Sequence, residues 1–386
     1  MSTALPSPDA LTAAHSARTA DALRATIATA GGAIPFGQYM HEALYAPGLG
    51  YYAAGTQKFA AGGDFTTAPE LSPVFAQVLA MQCQQTLDEL DGGDIIELGA
   101  GSGALAADLL SFLDAHSALP DRYWIIEISA ELTLRQRTRI AEQCPQLLSR
   151  VEWVSDPAGL STEGIVIANE VLDALPVERF RVGREGLTQQ FVAVEDGRLM
   201  SVWRPATPAV ADAVAVLQES LETTFAPGFE SEVCLATASW CDVCAGMLSR
   251  GVVLLSDYGY GRRDYYAPDR NTGTLMCHYQ HHAHSDPFWL PGAQDITAWV
   301  DFTTVATALD GAGMDYLGFT TQAQFLLHGG MTTLVDATPP DPAQAAALRT
   351  LLLPGEMGER FRFIGFGKAI KPRLSGFEGR DFGMQL

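Results

Sequence analysis

The stretch that decides the fold is residues 94–103, DIIELGAGSG. Its first half is a short apolar run, which predicts a buried strand, and its second half carries Gly99, Gly101 and Gly103. The residues that follow, 104–110, are rich in alanine and leucine and predict a helix. A strand, a glycine-rich turn and a helix in this order are typical of open sheets that bind a ligand beyond the carboxyl ends of their strands.

Further apolar runs extend this pattern along the chain. Residues 123–127, 151–154 and 165–168 predict three more buried strands, and helical segments separate them. Residues 252–257 and 360–368 predict two later strands. Because continuous apolar strands between helices are typical of parallel sheets covered on both faces, the sequence predicts an α/β fold class. We expect a doubly wound, mostly parallel, Rossmann-like sheet.

Three regions are predicted along the chain. Residues 1–90 form an N-terminal extension, with a helix at about 8–31 and a loop rich in glycine and aromatic residues that serves cofactor or substrate. Residues 91–176 and 251–386 form the sheet domain. Residues 177–250, in which polar and apolar residues alternate, form an inserted α+β lobe.

The charge balance limits the partners that the protein can have. The chain has 24 lysine and arginine residues against 45 acidic residues, a net charge of −21. A field of this sign repels phosphate backbones, so we expect no nucleic-acid partner. The same field attracts basic proteins or peptides and a positively charged cofactor. With 47% hydrophobic and 18% charged residues, the composition is that of a folded chain.

Location is predicted from the N-terminus, the apolar runs and the cysteines. No run reaches the roughly 18 apolar residues of a spanning helix, so we expect no membrane insertion. Residues 1–19 lack the basic and apolar segments of a secretory signal, and Asp9 disfavours a transit peptide. Six thinly spread cysteines fit a reducing compartment. We therefore expect a cytoplasmic protein.

Two acids flank the glycine turn and favour one ligand over another. Glu127 ends the second strand, where its carboxylate can accept both hydroxyls of a ribose. Glu97 lies two residues before the first glycine, where a carboxylate would repel a pyrophosphate but attract an ammonium or sulfonium group. The pattern therefore favours S-adenosyl-L-methionine (AdoMet) as cofactor. An NAD-dependent oxidoreductase is the alternative, because residues 99–104 also match the dinucleotide pattern G-x-G-x-x-A.

The predicted cofactor contacts lie on the glycine turn and at the ends of the next three strands. After the third strand, Trp153 or Asp156 can contact the adenine. The full predicted set is Glu97, Gly99, Ala100, Gly101, Gly103, Glu127, Ile128, Trp153, Asp156 and Asn169.

Residues 169–176, NEVLDALP, follow the fourth strand and face the same crevice as the glycine turn. This is where a transferase would meet its acceptor, although Asn169 could instead cap a helix. We predict Glu170 as the first catalytic candidate and Asp64 as the second, with Asp173 as a further one.

Four histidines lie close together at positions 278–284. A metal site, a loop that lines an acceptor channel and a surface loop without a role are all compatible with them. Methyl transfer needs no metal, and we predict no metal ligands.

Several longer stretches resemble one known family. The sequence is similar to the MidA-type branch of class I AdoMet-dependent methyltransferases over about residues 34–330. The resemblance implies a seven-stranded class I sheet with an inserted lobe. The stretches that carry it are residues 34–40 (IPFGQYM), 44–52, 63–70 (GDFTTAPE), 97–103, 169–176, 256–260 (SDYGY), 273–275, 278–279 and 294–303.

The resemblance also implies an activity. The mitochondrial member of the family is a complex I assembly factor and protein-arginine methyltransferase, which implies methylation of an arginine on a 49-kDa-type subunit of respiratory complex I. A non-catalytic complex I assembly chaperone is an alternative. Because a guanidinium stays protonated, such an enzyme must clamp it with carboxylates. The candidates for this clamp are Glu170 and Asp173, with Asp64, Glu70 and Asp257 from neighbouring loops.

Overall fold

The computed structural model describes residues 5–54 and 67–386. The chain divides into two compact units. Of the described residues, the sheet unit comprises 67–172, Ala238–Gly261 and Val300–Leu386, and the lobe unit comprises 5–54, Asp173–Thr237 and Arg262–Trp299.

Strands in the described residues are numbered in chain order. They are β1 (Ala33–Pro35), β2 (Asp94–Leu98), β3 (Tyr123–Ile126), β4 (Val151–Val154), β5 (Thr162–Asn169), β6 (Glu178–Gly183), β7 (Gly186–Glu195), β8 (Arg198–Pro205), β9 (Glu230–Val233), β10 (Leu248–Tyr260), β11 (Met276–Tyr279), β12 (His282–His284), β13 (Asp295–Thr297), β14 (Val300–Asp301), β15 (Asp315–Thr321) and β16 (Phe361–Lys368).

The α-helices are numbered in the same way. They are α1 (Ala10–Thr29), α2 (Phe36–Tyr45), α3 (Ala68–Leu71), α4 (Pro73–Leu90), α5 (Ala104–Ala115), α6 (Ala130–Gln143), α7 (Pro208–Ser220), α8 (Thr237–Gly246), α9 (Arg262–Tyr265), α10 (Phe302–Gly311), α11 (Gln322–Leu326), α12 (Thr332–Ala337) and α13 (Pro342–Leu352). Short 3-10 turns lie at Pro145–Arg150, Ser375–Phe377 and Gly383–Gln385, and a π turn lies at Leu327–Met331. None of the helices that the described residues form is both long and apolar enough to cross a membrane.

The sheet unit contains one mixed sheet, which confirms the predicted α/β class. Its strand order is β15-β16-β10-β5-β2-β3-β4, and β14 pairs with β10 beside this path. β4, β3, β2, β5 and β10 run parallel, whereas β16 runs antiparallel between β10 and β15. The described sheet has eight strands where the resemblance implied seven, because the two-residue β14 pairs with β10 beside the seven-strand path.

The strand order reverses at β2, and this reversal defines a crevice. β3 follows β2 on one side of it, while β5 lies on the other side. In doubly wound sheets, ligands bind at such a point, beyond the carboxyl ends of the two strands. The glycine turn leaves β2 here, and residues 169–176 leave β5 at the same edge.

The core of the sheet unit holds these strand ends in place. β2 is buried at every residue. Ile95 and Ile165 from the central strands belong to one hydrophobic cluster with Phe75 of α4 and Leu109 of α5. Because these helices pack on the sheet through apolar faces, the glycine turn between β2 and α5 is fixed at both ends.

The lobe unit is built mainly from antiparallel strands, as the alternation of polar and apolar residues predicts. β7 pairs with β1, β6 and β8, and β9 pairs with β6. The predicted hairpin turn joins β7 to β8 through Asp196 and Gly197, both at positive φ. A second small sheet consists of β12, β11 and β13.

The compact units and the predicted regions divide the chain at different residues. Residues 66–90, predicted as part of the extension, lie in the sheet unit, because α4 contributes Phe75 and Leu79 to its core. Residues 262–299, predicted as part of the sheet domain, lie in the lobe unit with β11, β12 and β13. The cofactor or substrate role that we predicted for the extension stays a prediction.

Close backbone approach at the centre of the sheet generates a stability prediction. Gly164 of β5 pairs with Asp94 and Gly251, and a Cβ at its φ of 155° would overlap the Asp94 carbonyl oxygen. We expect Gly164→Ala to destabilise the protein by about 3 kcal/mol, which thermal unfolding would measure.

The matched control is Gly159→Ala. Gly159 also has a positive φ, 84°, but a Cβ there would meet no atom within 4 Å in the part of the chain that the structure describes. We expect the control to cost only the backbone strain, about 1 kcal/mol. Equal losses for the two variants would contradict the proposed overlap.

Candidate functional site

In the glycine turn, Gly99 and Gly103 pack closely against other residues, whereas Gly101 does not. Gly99, Gly101 and Gly103 all adopt positive φ (65°, 53° and 82°), which favours glycine. A Cβ at Gly99 would lie 3.0 Å from Val171 Cγ2, and one at Gly103 would lie 3.0 Å from Gln136 Cα. A Cβ at Gly101 would meet no atom of the described residues within 4 Å. A ligand can therefore approach the backbone closely at Gly101.

Glu97 is a buried carboxyl group beneath this turn. It is 3% exposed, and it accepts a hydrogen bond from the Tyr123 hydroxyl at 2.7 Å. Burial raises the pKa of Glu97 to about 7, the hydrogen bond from Tyr123 lowers it, and the charge of Glu127 raises it further. A nearby cation would favour the ionised form of this group.

Glu127 is held by a network that the sequence analysis missed. Its carboxylate accepts from the Ser129 backbone N–H and from Gln136 Nε2, each at 2.9 Å. The same Gln136 nitrogen donates to the Gly101 carbonyl at 2.9 Å, and Gln136 Oε1 accepts from Trp153 Nε1 at 3.0 Å. Burial raises the pKa of Glu127, and these hydrogen bonds oppose the shift. Gln136 thus joins three predicted cofactor residues.

The remaining predicted cofactor residues of this edge lie around β3 and β4. Ile128 follows Glu127 and is 57% exposed, an unusual position for a large apolar side chain. The Arg137 guanidinium carbon lies 4.0 Å from the centre of the Trp153 ring. Ala100 is buried. Asp156 is exposed, and its carboxylate accepts from the backbone N–H of Ala158 at 2.9 Å.

Asn169 and Glu170 end β5 in a constrained conformation. Glu170 has a positive φ of 55°, and its backbone N–H donates to the Ser256 carbonyl at 2.9 Å. Glu170 Oε1 accepts from Asn169 Nδ2 at 3.0 Å and from the Ala68 N–H at 3.3 Å. No helix begins in residues 170–176 of the described chain, so the alternative of Asn169 as a helix cap is wrong. Asn169 Oδ1 is buried and has no hydrogen-bond partner among the described residues.

Asp257 fixes the turn that follows Glu170. It is fully buried, and its Oδ2 accepts from the backbone N–H groups of Val171 at 3.2 Å and Leu172 at 2.9 Å. Its Oδ1 accepts from the Tyr258 N–H at 2.8 Å. Because these bonds hold the backbone N–H groups of three residues, Asp257 positions the turn that follows Glu170.

The other predicted catalytic acids lie elsewhere. Asp173 belongs to the lobe unit, where it is 7% exposed and its carbonyl accepts from the Ala298 N–H at 2.9 Å. Burial raises the pKa of Tyr52 well above its usual value, with the charges of Asp295 and Asp173 among the further causes. Asp64 lies outside the described residues. Of the three predicted catalytic acids, the structure therefore describes Glu170 and Asp173.

The histidine-rich loop forms the β11–β12 hairpin. His278 lies on β11 opposite Ala283, and the His284 ring packs edge-on against Trp289. Burial lowers the pKa of both His278 and His284. Within the described ranges no group of three His, Cys, Asp or Glu residues is arranged to hold a metal ion. The described residues of this loop therefore do not support the alternative that its histidines form a metal site.

The donor and acceptor set of the sheet edge fits AdoMet better than a dinucleotide. Gly101 leaves room beside the backbone, and the Glu127 carboxylate can accept ribose hydroxyls. The buried Glu97 carboxyl group and the partnerless Asn169 Oδ1 offer acceptors to a cationic amino-acid group. A pyrophosphate would find negative charge at this position.

Comparisons with known proteins agree with this chemistry. The model of a family of S-adenosyl-L-methionine-dependent methyltransferases matches residues 78–320. A protein from Burkholderia thailandensis, solved with bound S-adenosyl-homocysteine, superposes with a TM-score of 0.92 and 41% identity. The superposition covers 99% of this chain and 100% of that one. The AdoMet cofactor predicted from Glu97 and Glu127 is confirmed, and the NAD-dependent alternative is wrong.

Curated relatives are named mitochondrial protein arginine methyltransferases, NDUFAF7. The zebrafish protein (Danio rerio) is 28% identical over 86% of this chain and 83% of its own length. The human protein is 27% identical over 86% of this chain and 80% of its own length. The predicted cytoplasmic location is contradicted, since these relatives are mitochondrial. The composition of residues 1–19 was not a sound guide to compartment.

The family match extends over more than half of the chain. Within it lie the glycine turn, both acids that flank the turn, and Glu170. The superposed relative holds the demethylated form of the cofactor. This chain therefore belongs to the family of S-adenosyl-L-methionine-dependent methyltransferases and is an enzyme of that class.

Proposed function

We propose that this enzyme transfers a methyl group from AdoMet to an arginine side chain of a protein. The first acceptor to test is the 49-kDa-type subunit of respiratory complex I, which the resemblance to MidA-type proteins implies. Support comes from the curated relatives, whose names are protein arginine methyltransferase. The net charge of −21 also favours a basic acceptor over a nucleic acid.

The observation that carries the proposal is the setting of Glu170. Its positive φ turns the chain at the end of β5, and the Ser256 carbonyl, the Asn169 amide and the Ala68 N–H hold it there. Non-glycine residues in this conformation are uncommon and cluster at functional sites. A carboxylate fixed in this way can bind a guanidinium with defined geometry.

A fixed carboxylate would compensate for the low nucleophilicity of the arginine side chain. The guanidinium stays protonated, and its nitrogen lone pairs are delocalised. When bound, AdoMet supplies a methyl group on a positively charged sulfur. Glu170 would draw positive charge toward the guanidinium nitrogen that it contacts and orient the opposite nitrogen toward the methyl group. It would accept one proton from the nitrogen that it contacts, so that the methylated guanidinium leaves with a single positive charge. Asp257 would keep the turn that bears Glu170 from moving, through its bonds to Val171 and Leu172.

Residues of the glycine turn would hold the cofactor. Glu127 would accept its ribose hydroxyls, with Gln136 fixing the orientation of the carboxylate. Glu97 would favour the cationic amino-acid end. Trp153 and the exposed Ile128 would provide apolar contacts for the adenine. Asp156 and Asn169 complete the proposed cofactor contacts. All of these assignments rest on the positions of the residues at or near the ends of strands.

The proposed function can be tested by locating the transferred methyl group. Purified enzyme and methyl-labelled AdoMet would be incubated with complex I isolated from cells that lack the gene. We expect label in methylarginine of the 49-kDa-type subunit after acid hydrolysis and in its peptides by mass spectrometry. Label in another residue type would contradict the arginine proposal, and label in another protein's arginine would contradict only the proposed acceptor.

Glu170→Gln separates catalysis from cofactor binding. We expect methyl transfer to fall by about 100-fold or more, because the amide cannot carry the charge that orients the guanidinium or accept its proton. Affinity for AdoMet should change by less than about twofold, since Glu170 lies outside the predicted cofactor contacts. Turnover rates and isothermal calorimetry would measure the two quantities.

The control for this variant is Glu163→Gln. Glu163 is an exposed residue of β5 that pairs with Arg250 at 2.9 Å. It lies at the opposite end of the strand from Glu170. If Glu170→Gln kept full activity, Glu170 would not be a catalytic residue. That result would favour the alternative in which the acceptor-side residues serve a non-catalytic assembly role.

The raised pKa of Glu97 predicts a pH dependence of cofactor binding. Burial favours the neutral acid in the ligand-free protein, so stability from this group is present at low pH and is lost as pH rises through about 7. Cationic AdoMet requires the ionised form, so its affinity should rise about tenfold from about pH 6 to about pH 8. Calorimetry across this range would measure the change.

In Glu97→Gln we expect weaker binding with a flat pH profile. Glu163→Gln should keep the wild-type profile, because its carboxylate is exposed and distant. If Glu97→Gln kept the full pH dependence, another group would be responsible and the role of Glu97 would be rejected.

A further inference from the structure

The short helix α3 is bonded both to the glycine turn and to the end of β5. At its C-terminal side, Glu70 accepts from the Ser102 hydroxyl and from the Arg139 guanidinium. At its N-terminal side, the Ala68 N–H donates to Glu170 Oε1 at 3.3 Å. α3 therefore contacts the cofactor turn and the proposed acceptor carboxylate at once. All of these residues lie in the sheet unit.

The Glu70–Arg139 contact is a forked ion pair. Arg139 Nη1 lies 2.7 Å from Glu70 Oε1, and Nη2 lies 3.2 Å from Oε2. Arg139 Nη1 also donates to Ser102 Oγ at 2.5 Å. Bidentate pairs of this type fix geometry better than single contacts. The three side chains therefore join α3, α6 and the glycine turn.

The pKa shifts of the two partners agree with this geometry. Burial acts to raise the pKa of Glu70, but the hydrogen bonds from Arg139 and Ser102 outweigh it and the net shift is downward. The hydrogen bond to Glu70 raises the pKa of Arg139. Both groups are therefore charged over the whole working range of pH.

We infer that Glu70 and Arg139 are positioning residues that lock α3 across the cofactor turn and so hold the Ala68 donor on Glu170. The inference rests on AdoMet binding by this family, and only its last link rests on the proposed role of Glu170. It gives Glu70 a role different from that of the arginine clamp, for which Glu70 was a candidate. The glycine turn and the Glu170 carboxylate are thus connected through α3.

The ion pair between Glu163 and Arg250 provides the comparison. The two charged groups lie 2.9 Å apart, and both side chains are exposed. Glu163 lies at the opposite end of β5 from Glu170. Exposed ion pairs often contribute little to stability, so the connection of Arg139 to α3 and the glycine turn, and not the presence of charge, distinguishes Arg139.

The test uses S-adenosyl-homocysteine as the probe, because its binding requires no acceptor. Calorimetry would compare wild type with Glu70→Gln, Arg139→Gln and Arg139→Lys. We expect the first two variants to weaken binding by about three- to tenfold. Arg139→Lys should weaken binding less than Arg139→Gln does, because lysine keeps the positive charge. It should still bind less tightly than wild type, because lysine cannot form the bidentate pair.

Two controls make the result specific. Glu163→Gln, which breaks the exposed pair with Arg250, should bind the probe within about twofold of wild type. The double variant Glu70→Gln/Arg139→Gln should lose no more affinity than either single variant, because the two residues act as one unit.

Hydrogen exchange gives a readout of α3 itself. In Arg139→Gln the amides of residues 67–72 should exchange faster than in wild type, because α3 loses the bonds from Arg139 to Glu70 that hold the Ala68 N–H on Glu170. Adding the probe to wild type should slow this exchange.

One pattern of results would overturn the inference. Lower melting temperatures for Glu70→Gln and Arg139→Gln, with unchanged probe affinity and unchanged exchange in residues 67–72, would make the pair merely structural. Since no acceptor is present, that failure would be independent of any failure of the arginine proposal.

Discussion

The alignment of three neighbouring strands is the constraint on which the rest of the site depends. The parallel ladders place Leu98 opposite Ala168, and Ala168 opposite Leu255, so β2 and β5 end within one residue of the same level, while β10 continues to Tyr260. The glycine turn and Glu170 therefore leave the sheet at one edge, beside Ser256 and Asp257 of β10. Because a one-residue slip would send alternate side chains to the opposite face, the apolar strands also fix these polar ends.

The polar groups at this edge are costly to bury and are held by each other. Glu97 bonds to Tyr123, and Glu127 bonds to Gln136, which in turn bonds to Trp153. A buried carboxyl group with such partners cannot rotate freely, so the cofactor meets a site whose acceptors are already oriented. The raised pKa values of Glu97 and Glu127 are the electrostatic consequence of the same burial.

Particular residues show how much of the site the sequence could predict. Glu97, Glu127 and Glu170 were identifiable because each lies within two residues of the end of a recognisable apolar strand. Gln136 and Arg139 were not, since they lie in a polar helix whose sequence is typical of a solvated face. Asp257 was identified as an acid near the site, but only the structure shows its bonds to the backbone of Val171 and Leu172.

The sequence by itself determined the order of strands and helices, the glycine turn and the acids at strand ends, because these follow from local patterns of burial and backbone freedom. Only the tertiary structure decided which helix face meets the turn, that α4 belongs to the sheet unit, and that α3 bridges Ser102 and Glu170. Those facts depend on packing between segments far apart in the chain, and no local pattern of residues encodes them.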